Sequence, residues 1–216
     1  IPLMLLHRTP EQYFVDMFTG GANIACAVGR NVIANDSHYE LIKMWQAVQQ
    51  GWDIPTNISE ELYQSIKATP NNYPPELVAF AGFGCSFGGK YFGGYARSGG
   101  RNYANEARKG ILRKAKNLTK TIFINQNYVD VEIPPNSIIY CDPPYANTTE
   151  YSSGKFDNAQ FWDWALHMSK LHTLFVSEFI APQPFKCIWE QKRKISTAIK
   201  SYQTKTERLF TYKGDN

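Results

Sequence analysis

The chain alternates brief, dense apolar runs with longer stretches in which apolar positions recur every three or four residues. Five runs are β-branched or aromatic and short enough to be strands: Tyr13–Phe18, Asn31–Asp36, Thr121–Asn125, Ile138–Cys141 and Thr173–Glu178. Continuous apolar runs of this length suit strands covered on both faces, as in a parallel sheet. Helical spacing predicts helices over Ile24–Val28, His38–Gln50, Ile58–Lys67, Tyr103–Leu118 and Ala159–Lys170, with Ser59 ahead of Glu60-Glu61 as a helix start. The aromatic stripe of the last of these (Phe161, Trp162, Trp164) reads as core. Phe185–Glu190 and Lys205–Tyr212 read as an antiparallel edge pair with the basic Gln191–Lys200 between them. Gly51–Pro75, rich in proline, reads as a connector leading away from the sheet. Ala146–Asn158 reads as a mobile loop. No internal repeat is visible. Alternating strand and helix predicts a single α/β domain over residues 1–216, a Rossmann-like sheet with helices on both faces.

Length and composition narrow this picture little. The chain has 216 residues, 43% of them hydrophobic and 14% aromatic, enough for one sizeable core. No apolar run approaches the length of a membrane span, and Ile1–Leu6 lacks the charged start and cleavage pattern of a signal peptide. The sequence opens without Met, so residues are expected ahead of Ile1. Cys26, Cys85, Cys141 and Cys187 form no C-x-x-C pair, and the four histidines have no metal spacing. This predicts thiols in a reducing cytosol, no metal and no membrane partner.

Charge changes the picture more. Lys90–Lys120 holds nine Lys/Arg and one acid, Glu106, a net +8 in a chain whose total is +4, which leaves the remainder at −4. Such a block either contacts a polyanion or is a solvated helix face. Just ahead of it, Phe80–Arg97 alternates glycine with Phe80, Phe83, Phe87, Tyr91 and Phe92. Loops of this composition can stack bases and track phosphates, which makes Lys90, Tyr91, Arg97 and Arg101 candidate nucleic-acid contacts. The glycine, aromatic and basic segment 76–120 is thus a candidate insert for target recognition.

Three further places carry candidate chemistry. The first strand runs through Asp16-Met17-Phe18 into Thr19-Gly20-Gly21, and paired glycines let a ligand approach the backbone closely. This is not G-x-G-x-x-G, which disfavours a nicotinamide enzyme. Asp36 ends the second strand, where an acid commonly accepts from ribose hydroxyls, and it could equally cap the following helix. The pattern of strand, glycine turn, helix, strand and acid reads as an adenosine-ligand half-site. Finally, Ile138–Cys141 stops at Asp142-Pro143-Pro144-Tyr145. The prolines fix φ and hold the residues around them rigidly at the carboxyl end of the strand. An exocyclic aromatic amine is a poor nucleophile because its lone pair is delocalised. Two acceptors on its hydrogens, the Asp142 carboxylate and the Pro143 carbonyl, favour a pyramidal nitrogen, and Tyr145 offers a face for stacking the base. Cys141 should point away from Asp142, since strand neighbours alternate faces.

On these residues the chain resembles the DNA N6-adenine methyltransferases, whose signature is D-P-P-Y. Glycine turn first and D-P-P-Y later, with the basic segment between, resembles the Dam-like alpha group. Phage-encoded members carry a run very similar to Ser86-Phe87-Gly88-Gly89-Lys90 and its continuation to Arg97. The resemblance implies a Rossmann-like methyltransferase fold, S-adenosylmethionine as cofactor, and double-stranded DNA containing a target adenine as partner. It implies catalysis by Asp142, Pro143, Pro144 and Tyr145, and cofactor binding by Asp16, Met17, Phe18, Thr19, Gly20, Gly21 and Asp36. In the family an acid followed by an aromatic sits after the third strand and touches the cofactor adenine; here it is Asn127-Tyr128. Family members also carry a Gly/Ser/Lys-containing segment before the first strand, which is not seen ahead of Glu11. The expected location is the cytoplasm, of the host cell if phage-encoded. Other readings left open are an RNA adenine methyltransferase and a homologue that binds cofactor or DNA without catalysing; a protein-glutamine methyltransferase is disfavoured by Asp142, where Asn is usual.

Overall fold

The computed structural model describes residues 1–144, 156–198 and 201–212, with side chains described outside 193–205. A short helix, α1 (Pro2–Leu5), leads to strand β1 (Phe14–Asp16), helix α2 (Asn23–Val28), β2 (Val32–Asn35) and α3 (Tyr39–Gln49). Then come α4 (Glu60–Ala68), α5 (Pro75–Ala79), a π-helical turn (Phe80–Gly84), a 3-10 turn (Phe87–Gly89) and α6 (Tyr103–Leu118). The second half holds β3 (Ile122–Ile124), β4 (Ile138–Cys141), α7 (Asn158–Met168), β5 (Thr173–Glu178), β6 (Phe185–Ala198) and β7 (Ser201–Tyr212). Tyr145 and most of the Ala146–Asn158 loop lie outside the described residues.

Among the described residues, seven strands form one sheet in the order β3-β2-β1-β4-β5-β7-β6. The first five are parallel, and β7 runs antiparallel to both its neighbours. This is an α/β, Rossmann-like fold. The chain winds outward from β1 to β2 and β3, then returns to place β4 on the other side of β1. The crevice between β1 and β4 is therefore the topological switch point, the place where open α/β sheets bind ligands.

Side chains alternate across the sheet as the period of two requires. Phe14, Ala34, Ile138 and Tyr140 join one core with α3 residues Leu41, Ile42 and Trp45. Val15, Ile33, Ile139, Cys141 and Val176 join the other with Phe161 and Ala165 of α7. All four residues of β4 are buried, as its unbroken apolar run predicts. Helix starts follow the caps: Ser59 Oγ accepts from Leu62 N–H (3.2 Å), Asn102 Oδ1 from Asn105 N–H (2.9 Å) and Asp157 Oδ1 from Gln160 N–H (3.0 Å).

The structure differs from expectation in two places. Gly51–Pro75 does not lead away from the sheet: Ile54, Ile58, Tyr63 and Ile66 are buried in the same core as β1 and α3, because α4 folds its apolar stripe back onto it. The last two strands are longer than their apolar patterns. β6 and β7 continue to Ala198 and from Ser201, where they pair only with each other and have no core face to demand alternation.

Candidate active site

Past β1 the backbone is tied to both flanking strands. Met17 N–H donates to Tyr140 O (2.9 Å) and Thr19 N–H to Asn35 O (2.8 Å). Gly20 takes φ +45° and Ala22, which starts α2, takes φ +52°. The turn is gripped from the helix layer: Trp45 Nε1 donates to Gly20 O (3.0 Å) and Lys114 Nζ to Gly21 O (2.5 Å). Asp36 grips it from β2. Its Oδ2 accepts from Gly20 N–H (2.9 Å) and its Oδ1 from His38 N–H (2.9 Å), so one carboxylate ties the glycine turn to the loop that leads into α3.

Asp16 lies beneath this turn, 1% exposed. Its Oδ2 accepts from Thr19 Oγ1 (3.0 Å) and Ala25 N–H (3.2 Å). Burial pushes its carboxyl up to about 7, against the pull of those two hydrogen bonds and with smaller pushes from Asp142 and Asp36. Asp16 therefore supports the turn from below. Met17 is fully buried and Thr19 nearly so. Phe18 is half-buried, its ring 5.6 Å from that of Tyr128.

On the other side of the switch point, Asp16 pairs with Tyr140, so Asp142 leaves β4 two residues further along the same edge. Asp142 is exposed, Pro143 buried and Pro144 half-buried. Cys141 is fully buried in the α7-side core; burial first, then Asp16 and Asp142, push its thiol well above the ordinary range. An unreactive buried thiol is the consequence. Asp142 and Asp36 both lie near enough to Asp16 for their charges to raise its carboxyl further.

After β3, Asn127 is exposed and caps a 3-10 turn (Tyr128–Asp130) through Val129 N–H (3.4 Å). Tyr128 is 7% exposed, ringed by Phe18, Phe161 and Trp164. Sequence reasoning passed over Asn35, whose Nδ2 donates to Met17 O (3.1 Å) and Gln126 O (3.1 Å) and whose Oδ1 accepts from Gln126 N–H (3.1 Å). It ties the end of β2 to the segments that follow β1 and β3. The available signal was an amide inside a buried apolar run, which must find partners.

The candidate DNA contacts sit apart from this cluster in sequence. Lys90 is exposed. Tyr91 is half-buried, its ring 4.5 Å from His38 and 4.8 Å from Phe83, and burial pushes its hydroxyl up to about 12. Arg97 is ion-paired with Glu60. Arg101 Nε donates to Glu106 Oε1 (3.0 Å) and its guanidinium lies 4.6 Å from the Tyr103 ring centroid. An apolar cavity of about 450 Å³ lies between the glycine turn, α3, the π-helical turn and α6, with Trp45, Phe80, Phe83 and Ile111 among its walls and Lys114 beside Gly21.

The profile of the D12 class N6 adenine-specific DNA methyltransferases matches residues 5–77 and 87–206, nearly the whole chain. The chain belongs to that family. Its class chemistry is adenine methylation. The matched residues of this D12 methyltransferase include the glycine turn, Asp36 and the Asp142–Pro144 corner. Solved structures resemble it loosely. A candidate methylase from Haemophilus influenzae is 11% identical, TM-score 0.35, over 96% of this chain and 91% of that one. A conserved hypothetical protein of Streptococcus pyogenes is 12% identical, TM-score 0.39, over 99% and 95%. A candidate methyltransferase solved with SAH is 12% identical, TM-score 0.37, over 99% of this chain and 51% of that one. Among the described residues no helix is long and apolar enough to cross a membrane, and no group of three or more His, Cys, Asp or Glu could hold a metal ion.

Proposed function

We propose that this D12 family member is a site-specific DNA methyltransferase that transfers a methyl group from S-adenosylmethionine to N6 of a flipped adenine. The observation that carries the reading is the family match over nearly the whole chain, supported by the glycine turn, Asp36 and Asp142 following three adjoining parallel strands, β1, β2 and β4. The site fits the cofactor: Asp36 follows β2 beside the glycine turn, and Gly20 leaves its side open, with nothing within 4 Å of where a Cβ would stand. Asp36 would accept from the ribose hydroxyls with lone pairs beyond those used by Gly20 and His38. Asn127 and Tyr128 would border the cofactor adenine, and Asp16, Met17, Phe18 and Thr19 would shape the floor.

Bound S-adenosylmethionine would supply an electrophilic sulfonium methyl. The target adenine must leave the stack, since its N6 cannot be reached inside a duplex. Asp142 then accepts one N6 hydrogen and the Pro143 carbonyl the other. The pair localises the nitrogen lone pair, and the Asp142 carboxylate stabilises the positive charge that develops there. Pro144 keeps the corner rigid, and Tyr145 is expected to stack on the flipped ring. The 76–120 segment would hold the DNA, with Lys90, Tyr91, Arg97 and Arg101 as its contacts. The four cysteines are free, which suits work in a reducing cytoplasm.

The test is transfer of tritiated methyl from labelled cofactor to adenine-containing duplex, followed by digestion and identification of the labelled base. Label in N6-methyladenine of duplex DNA is the expected result. Label found only in an RNA substrate, or in no nucleic acid at all, would overturn the reading.

A further inference from the structure

We propose that the β6–β7 ribbon is a second DNA-holding arm, which lies along the phosphate backbone of the duplex whose adenine enters the crevice. The proposal rests on the reading of the crevice given above and adds an element outside it.

The ribbon's place follows from strand register. β7 pairs with β5 only over Arg208–Thr211, with Arg208 opposite Glu178. Glu178 ends β5, so the part of β7 ahead of Arg208 extends past the carboxyl end of the parallel strands. There β6 and β7 pair only with each other, from Gln191 opposite Glu207 to Ala198 opposite Ser201. At about 3.3 Å per residue, Ser201–Glu207 carries the ribbon roughly 23 Å beyond the sheet. This is the same edge from which Asp142 emerges. β4 neighbours β5 and β5 neighbours β7, so at about 4.8 Å per strand the ribbon is rooted roughly 10 Å from the strand that delivers Asp142. A duplex presenting a base to the crevice would run beside it.

The composition of the ribbon points to a polyanion. From Gln191 to Glu207 the chain has five Lys/Arg and one acid, Glu207, a net +4. Charges on a free strand edge commonly serve only to block pairing with other chains. Either sign would serve that purpose, whereas here the charges stand at five positive to one negative. A two-stranded ribbon also has the width that the major groove of B-DNA admits, and neutralising phosphates supplies much of the affinity with which proteins hold DNA.

The test uses the full chain with Lys192→Gln, Arg193→Gln and Lys194→Gln combined. Affinity for an adenine-containing duplex is measured between 50 and 200 mM salt, with cofactor affinity measured beside it. Removing three cations that each neutralise a phosphate should make the log–log salt slope shallower by about 2.7 and weaken binding at low salt by about tenfold or more. Cofactor affinity should be unchanged. Lys192→Arg with Lys194→Arg should keep the parent slope; a slope that flattens there too would overturn charge as the cause. A triple variant with the parent's slope and affinity overturns the ribbon assignment and leaves the methyltransferase reading standing. Loss confined to RNA binding overturns the choice of DNA. A parent chain that transfers no methyl to duplex DNA overturns both.

Discussion

Asp16→Asn should make the protein more stable above neutral pH, and the gain should vanish in acid. In the folded chain the Asp16 carboxyl is pushed up to about 7, chiefly by burial, from an ordinary 3.8. Between those two values the folded state holds a proton that the unfolded state has lost. Folding stability therefore falls as pH rises through that window and levels off above it. At pH 5 part of the loss has already occurred. From pH 5 to 8.5 the remaining change is about two pH units at 1.36 kcal/mol each, or roughly 3 kcal/mol. Asn has no charge to bury and keeps an oxygen that can accept from Thr19 Oγ1 and Ala25 N–H, the two donors to Asp16. The difference in Tm between variant and parent should thus widen by roughly 6–12 °C between pH 5 and pH 8.5, at 2–4 °C per kcal/mol for a domain of this size. The assay is thermal melting at both pH values without cofactor. Parallel pH profiles for parent and variant would show that Asp16 does not titrate in this window, and the account of the turn's support would be wrong.

Other perturbations follow from the same contacts. Asp36→Ala should weaken cofactor binding about tenfold to hundredfold, since a charged hydrogen bond contributes roughly 1.5–3 kcal/mol; calorimetry reads this, and parent affinity would remove Asp36 from the site. The same variant should also melt earlier by the equivalent of about 1 kcal/mol, because the Gly20 and His38 N–H groups lose their shared acceptor. Gly82→Ala would put a Cβ 2.5 Å from the Tyr91 ring, itself packed on His38 and Phe83. It should destabilise by about 1–3 kcal/mol, and an unchanged Tm would mean the aromatic seam gives way freely.

How much could be read from sequence depended on whether a residue's fate was decided locally. β4 was legible because four apolar residues bounded by prolines leave few alternatives, and the corner at Asp142 came with it. Asp36 reads from sequence as a ligand acceptor or a helix cap; in the structure the N-cap of α3 is His38, and Asp36 holds the loop ahead of it through His38 N–H. Tyr91 was not legible, because its packing depends on His38, more than fifty positions away in the chain. Lys114 looks like its neighbours in a basic helix, yet it alone among the basic residues of α6 reaches a carbonyl of the glycine turn among the described residues. The pairing of Arg97 with Glu60 was hidden for the same reason, since the two lie 37 positions apart. The reach of β6 and β7 was hidden because strands that leave the sheet lose the alternation by which strands are recognised.

The central claim is that Asp142 activates an adenine amine. Its direct test is the rate of tritiated methyl transfer to adenine-containing duplex by the parent chain, Asp142→Asn and Asp142→Ala, with cofactor affinity measured separately. Removing one preorganised group of this kind typically costs on the order of 100- to 1000-fold in rate. The account predicts a loss of that size for Asp142→Ala, a smaller loss for Asp142→Asn, which keeps an acceptor oxygen, and near-parent cofactor affinity for both. An Asp142→Ala chain that methylates duplex DNA at the parent rate would contradict it.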